Sequence, residues 1–131
     1  MLGLQVESAW VAAAAAPGVK VTSSVSLTGD WNGSILLECS GDMACTLAGI
    51  LLMTECSQVD ENVKDVLGEI TNMIAGNVSR KLHGSTSLSL PSVVSGSHYT
   101  VDVLKGEKVV ELPLFCRDRM LLVSLIRAAT N

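Results

Sequence analysis

Asp65, Glu69 and Asn72 are the residues of this chain whose types and spacing could do chemistry together. Steps of four and then three residues put side chains on one side of an α-helix, on successive turns. A carboxylate one turn from a carboxamide sets an acceptor for a partner's cation beside a group that both accepts and donates hydrogen bonds. An amide is no general base, so the chemistry open to such a pair is positioning: holding a water and fixing a charged group. Gly76 falls on the same side one turn further on. Glu and Asn three apart are common on helices, and the plain alternative is a solvated helix face.

The helix that would carry these residues is the longest that the sequence predicts. It starts at Ser57 or Asp60 and ends at His83, with Gly84 as the C′ residue. Asp60, Glu61 and Asp65 near its start, and Arg80, Lys81 and His83 at its end, suit the helix dipole. With Asp65 at zero and about 100° per residue, Val59, Val66, Ile70 and Met73 join Val63, Leu67 and Ile74 as the expected buried face. Asp65, Glu69, Asn72, Gly76 and Ser79 fall within about 40° of zero, on the opposite side. Gly68 and Gly76 each cost about 1 kcal/mol relative to Ala inside a helix. A bundle contact would account for Gly68. Gly76 lies in the stripe itself, where the missing side chain leaves room for another body.

The flanking sequence must hold that helix in place. Residues 4–16 read as a short Ala-rich helix stopped by Pro17-Gly18. Val19 to Leu27 alternates apolar and polar, Gly29-Asp30-Trp31-Asn32-Gly33 is turn chemistry, and Ser34 to Cys39 is a second strand, which makes a hairpin. Ser40 and Asp42 cap a helix to about Thr54, with Ala44, Leu47, Ala48, Leu51 and Leu52 as its apolar face. After Gly84 the period changes to two. Ser87 to Leu90 and Val93-Val94 flank Pro91, which restricts this stretch to an edge strand or a bulge. Tyr99 to Leu104 pairs with Lys108 to Phe115 across Lys105-Gly106-Glu107, and Arg117-Asp118-Arg119 turns the chain into a last strand, Met120 to Ile126. The order is strand, strand, helix, helix, strand, strand, strand after a short N-terminal helix: an α+β domain, an antiparallel sheet with two longer helices packed on one face. The 131 residues are expected to form a single domain.

Composition narrows the function. Hydrophobic residues are 48% of the chain and charged residues 17%, so it is not disordered. The net charge of −4 and the scarcity of aromatics, Trp10, Trp31, Tyr99 and Phe115, argue against nucleic acid as a partner. Cys39, Cys45, Cys56 and Cys116 form no Cys-x-x-Cys pair, and His83 and His98 supply no zinc spacing. No Ser–His–Asp order is present for covalent catalysis. The apolar run Ala9 to Ala16 lacks the basic flank of a signal peptide, and Met43 to Met53 is about half of a bilayer span. The expectation is a reduced, cytoplasmic protein with no membrane partner.

The segment from Asp65 to Asn77 resembles the signature of the CheX/CheC/FliY family of chemotaxis phosphatases: Asp or Ser, three residues, Glu, two residues, Asn. Leu88 to Gly96 looks like the family's proline strand, Thr28 to Glu38 like its early hairpin, and Leu112 to Phe115 like its late strand. Pro91 follows Asn72 more closely than the family pattern has it, and the N-terminal helix looks truncated and Ala-rich. A single Glu-x-x-Asn element is similar to the CheX branch, whose members form homodimers. The resemblance implies a CheX-like domain over 1–131 that hydrolyses the aspartyl phosphate of a phosphorylated CheY-like response regulator. Asn72 would orient the attacking water, Glu69 would contact the receiver's lysine, and Asp65 and Gly76 would extend the partner contact. It implies no metal or cofactor on this chain, Mg²⁺ being supplied by the receiver. The alternative is a non-catalytic response-regulator-binding or structural homodimeric module.

Overall fold

A computed structural model describes residues 19–96, 106–116 and 119–129. The elements run β1 (Lys20–Gly29), β2 (Gly33–Ser40), α1 (Gly41–Leu52), α2 (Glu61–Lys81), β3 (Thr86–Leu88), β4 (Ser92–Gly96), β5 (Gly106–Cys116) and β6 (Arg119–Ala128). Together the strands form a 6-stranded sheet, ordered β3-β1-β2-β6-β5, with β4 also paired to β1. Every pairing is antiparallel. The expected α+β architecture is the one observed. The expected helix over residues 4–16 and the strand from Tyr99 to Leu104 lie outside the described residues.

The hairpin β1–β2 forms as its alternation requires. Asn32 closes the turn, its Oδ1 accepting from the Gly29 N–H and its Nδ2 donating to the Gly29 carbonyl. Gly29, at φ +129, takes a conformation that side chains rarely adopt. Val21, Val25 and Leu27 of β1 line up with Cys39, Ile35 and Gly33 of β2, and Ser23 with Leu37. The apolar members of this row face the helices and join Met43, Ala44, Ala48, Val63, Leu67 and Ala75 in the core. The opposite face is not simply wet: Leu36, Glu38, Leu122, Ser124 and Ile126 are buried as well.

Both helices begin at the caps their sequences supply. Ser40 Oγ accepts from the Met43 N–H, and Asp60 Oδ1 from the Val63 N–H. The ends differ from expectation. α1 stops at Leu52, where Met53 takes a left-handed conformation, and Leu51 and Leu52 are exposed rather than packed. α2 stops at Lys81 rather than His83. Gly84 has the positive φ of a C′ glycine, but it serves another turn, whose Ser85 N–H donates to Asp30 Oδ2.

The Pro91 segment resolves into two short strands, β3 and β4, that share β1 as their partner. Pro91 falls in the gap between them, where its missing N–H costs no ladder bond. Gly106 and Glu107 are strand rather than turn, and β5 pairs with β6. At the end of the described strand order, β5 carries Val110, Leu112 and Leu114 exposed among the described residues.

Candidate functional site

Three contacts fix α2 against the sheet. The first is at its middle. Thr71 is fully buried, and its Oγ1 bonds both the Leu67 carbonyl and Ser23 Oγ at 2.7 Å. A threonine in a helix interior favours this back-bond to the preceding turn, and here the same hydroxyl reaches β1. The second is Gly68, which lies against Pro91. The third ties the helix end to β3, Ser79 Oγ pairing with Thr86 Oγ1. A helix held at three points is a rigid support for the side chains on its outward side.

The buried arc consists of Val63, Leu67, Gly68, Thr71 and Ala75. This is a correction. Of the seven residues expected on the buried face, Val63 and Leu67 are fully buried and Val59, Val66, Ile70 and Ile74 pack half-buried against the core, but Met73 is 67% exposed. The packed face is wider than expected, extending beyond Leu67 to the small residues Gly68, Thr71 and Ala75. Gly68 admits the Pro91 ring, and Ala75 and Thr71 take the space above β1. The bundle contact expected for Gly68 is thus a contact with a proline of the strand segment.

The candidate stripe stays on the side of α2 away from this packed face, with Asn72 nearest its Gly68 edge. Asp65 and Glu69 are exposed, and Asn72 and Gly76 are half-buried. Glu69 and Asn72 stand about 4.5 Å apart along the helix axis. Among the described residues, neither the Glu69 carboxylate nor the Asn72 carboxamide has a hydrogen-bond or ion-pair partner. Their polar atoms are thus free to meet a group brought by another molecule. Ser79 leaves the stripe, turned into the sheet by its bond to Thr86. A Cβ built at Gly76 would find nothing within 4 Å, so the fold itself does not require glycine there. The helix-propensity cost of about 1 kcal/mol at this position is offset by no contact among the described residues.

Beside Gly76 lies a feature absent from the sequence reading. An open groove of ≈ 440 Å³ is lined by Met73, Gly76, Asn77, Ser79, Arg80 and Leu88. Its apolar wall comes from Met73, which periodicity had assigned to the core, and from Leu88 across the helix–strand gap. The exposed methionine could not be found without knowing where the packed face of the helix ends.

Two of the four thiols are held in the protonated form by their surroundings. Cys39 is pushed up to about 12, first by burial and then by Cys45 and Glu38. Cys45 is also raised, chiefly by burial, with Cys56, Asp42 and Asp60 adding to it. A raised pKa keeps a thiol protonated, and the thiolate is the reactive form. All four cysteines pack in or against the core around Met43. Among the described residues, no three His, Cys, Asp or Glu side chains gather in a way that could hold a metal ion. No described helix is long and apolar enough to cross a membrane.

Residues 21–115 match the family model described as chemotaxis phosphatase CheX. The chain belongs to the CheX family. Solved CheX-like structures share its fold. A chemotaxis protein CheX from Vibrio vulnificus superposes with TM-score 0.71 at 24% identity, over 85% of this chain and 76% of that one. The CheX-CheY-BeF3-Mg complex from Borrelia burgdorferi matches with TM-score 0.71 at 24% identity, over 86% and 77%. A CheX from Desulfovibrio desulfuricans matches with TM-score 0.70 at 27% identity, over 86% and 76%. No curated protein matches the chain.

Proposed function

We propose that this CheX-family domain accelerates hydrolysis of the aspartyl phosphate of a CheY-like response regulator, with Asn72 positioning the attacking water and Glu69 contacting the receiver's lysine. The observation that carries the reading is the placement of Glu69 and Asn72. They share the outward side of a helix pinned at Thr71 and Gly68, and among the described residues neither has a polar partner. The Borrelia complex supports a CheY-like partner.

Phosphoryl transfer asks little covalent chemistry of a catalyst and much positioning. The receiver brings the phosphoryl group, Mg²⁺ and a lysine. This chain contributes a carboxamide whose carbonyl accepts from the water and whose NH₂ faces a phosphoryl oxygen, so that the water lies in line with the P–O bond to be broken. The Glu69 carboxylate, one turn earlier, takes the receiver's ammonium as a charge-assisted contact and sets the docking register. Asp65 extends the acidic end, and Gly76 admits the receiver's surface. The metal belongs to the receiver.

A second reading rests on β5. Its exposed Val110, Leu112 and Leu114 at the end of the described strand order suit a structural homodimer or a non-catalytic binding module. Homodimerisation is compatible with catalysis, and we include it in the proposal.

One experiment tests the assignment. Purified protein is mixed with phosphorylated receiver and the decay of phosphate is followed. The expected result is faster decay with wild type and no acceleration with a folded Asn72→Ala protein. Acceleration that survives Asn72→Ala removes the role given to Asn72. Binding without acceleration by wild type leaves the non-catalytic module.

A further inference from the structure

We propose that the groove over Gly76 is a second docking contact for the receiver, seating an aliphatic side chain between Met73 and Leu88 and a carboxylate on Arg80; this rests on the phosphatase reading above.

Three observations meet there. The first is Gly76 itself, a helix-interior glycine with open space where its side chain would be. At Gly68 the close approach of Pro91 accounts for the glycine; at Gly76 nothing in the described chain does. The bare position leaves room for an approaching body. The second is the apolar lining. Met73 is 67% and Leu88 37% exposed, and they wall the same groove from two different elements. Methionine is an adaptable contact for an aliphatic side chain.

The third is charge. Along one side of α2 the sign changes from Asp65 and Glu69 to Arg80. A partner that sets a lysine on Glu69 must carry an anion or a gap at the other end of the helix. Arg80 is prepared for the anion. Asn77 Oδ1 accepts from its Nη2, which steadies the guanidinium and leaves further N–H groups free for a carboxylate.

Distance makes the receiver the natural occupant. Arg80 lies eight residues beyond Asn72, about 12 Å along the axis. A stable protein interface covers roughly 800 Å² on each partner, a patch about 16 Å in radius. A globular domain that brings its phosphoryl group to Asn72 thus also covers Gly76 and Arg80. The groove is the part of that footprint that selects among receivers. It calls for an aliphatic residue with an acidic neighbour on the receiver surface, about 12 Å from the phosphorylated aspartate.

The test measures KM and kcat for decay of the phosphorylated receiver with wild type, Asn72→Ala, Gly76→Leu and Arg80→Glu. Gly76→Leu is expected to raise KM about tenfold with kcat within about twofold, and its thermal midpoint is expected to stay at or above the wild-type value. Arg80→Glu is expected to raise KM about fivefold at low salt, the effect shrinking as salt is added. If wild type accelerates decay, Asn72→Ala does not, and both groove variants keep KM within about twofold of wild type, the groove proposal is overturned and the phosphatase reading stands. If wild type gives no acceleration, both fall. A fall in kcat for Gly76→Leu at unchanged KM also overturns the docking role.

Discussion

Gly68 lies against Pro91: a Cβ at position 68 would stand 3.2 Å from Pro91 Cγ and 3.3 Å from Pro91 Cβ. Eight residues on, Gly76 faces open space. Two glycines in one helix thus differ in surroundings, one packed against a proline and one open among the described residues. The prediction is a difference in sign. Gly68→Val is expected to lower stability by about 1–3 kcal/mol through overpacking. Gly76→Ala is expected to raise it by about 1 kcal/mol through helix propensity. Urea unfolding midpoints of the two variants check this. A stabilising Gly68→Val would mean that the Pro91 contact does not hold the helix.

Thr71 supplies the second prediction. Its hydroxyl links the Leu67 carbonyl to Ser23 Oγ in a fully buried site. Thr71→Val keeps the shape but leaves Ser23 Oγ with only its 3.5 Å approach to the Leu67 carbonyl. A loss of about 1–2 kcal/mol is expected, read from thermal or urea unfolding, with helix content unchanged by circular dichroism.

Glu69 is exposed, so its contribution to docking should be electrostatic and open to screening. Glu69→Gln is expected to raise KM for the phosphorylated receiver several-fold at low ionic strength and by much less near 0.5 M salt. Equal KM values for the two proteins at low salt would take Glu69 out of the interface. Stability should change by no more than about 0.5 kcal/mol, because the side chain is exposed and has no polar partner among the described residues.

Cys39 gives a prediction in pH. Burial raises its thiol from 9.0 to about 12. The unfolded chain therefore loses this proton at lower pH than the folded one does. The resulting stability is fully present below the unfolded value and declines as pH rises from 9.0 towards about 12. Cys39→Val removes the ionisation. Its unfolding free energy is expected to fall less steeply than wild type over that interval in parallel urea titrations. Identical slopes would show that Cys39 is not shielded.

Much of this architecture can be read in the letters. Asp60 caps α2 because a short acceptor side chain precedes a periodic run, and the β1–β2 hairpin follows from alternation flanking a Gly-rich turn. The spacing of Glu69 and Asn72 likewise fixes their common side. The full extent of α2's packed face was not legible. Periodicity weights large apolar residues, whereas the small residues Gly68, Thr71 and Ala75 extend this face beyond Leu67. Met73 was misplaced for that reason, and the groove it walls was hidden with it. Gly106 and Glu107 read as a turn by composition, but pairing with Ala128 and Arg127 makes them strand.

The bare position at Gly76 also determines what laboratory evolution would do to this protein. A library sorted for heat tolerance alone would accumulate bulkier residues there, since no neighbouring atom resists them. The survivors would be hardier folds that had gone deaf to their signal. Sorting for tolerance and for response together should return glycine.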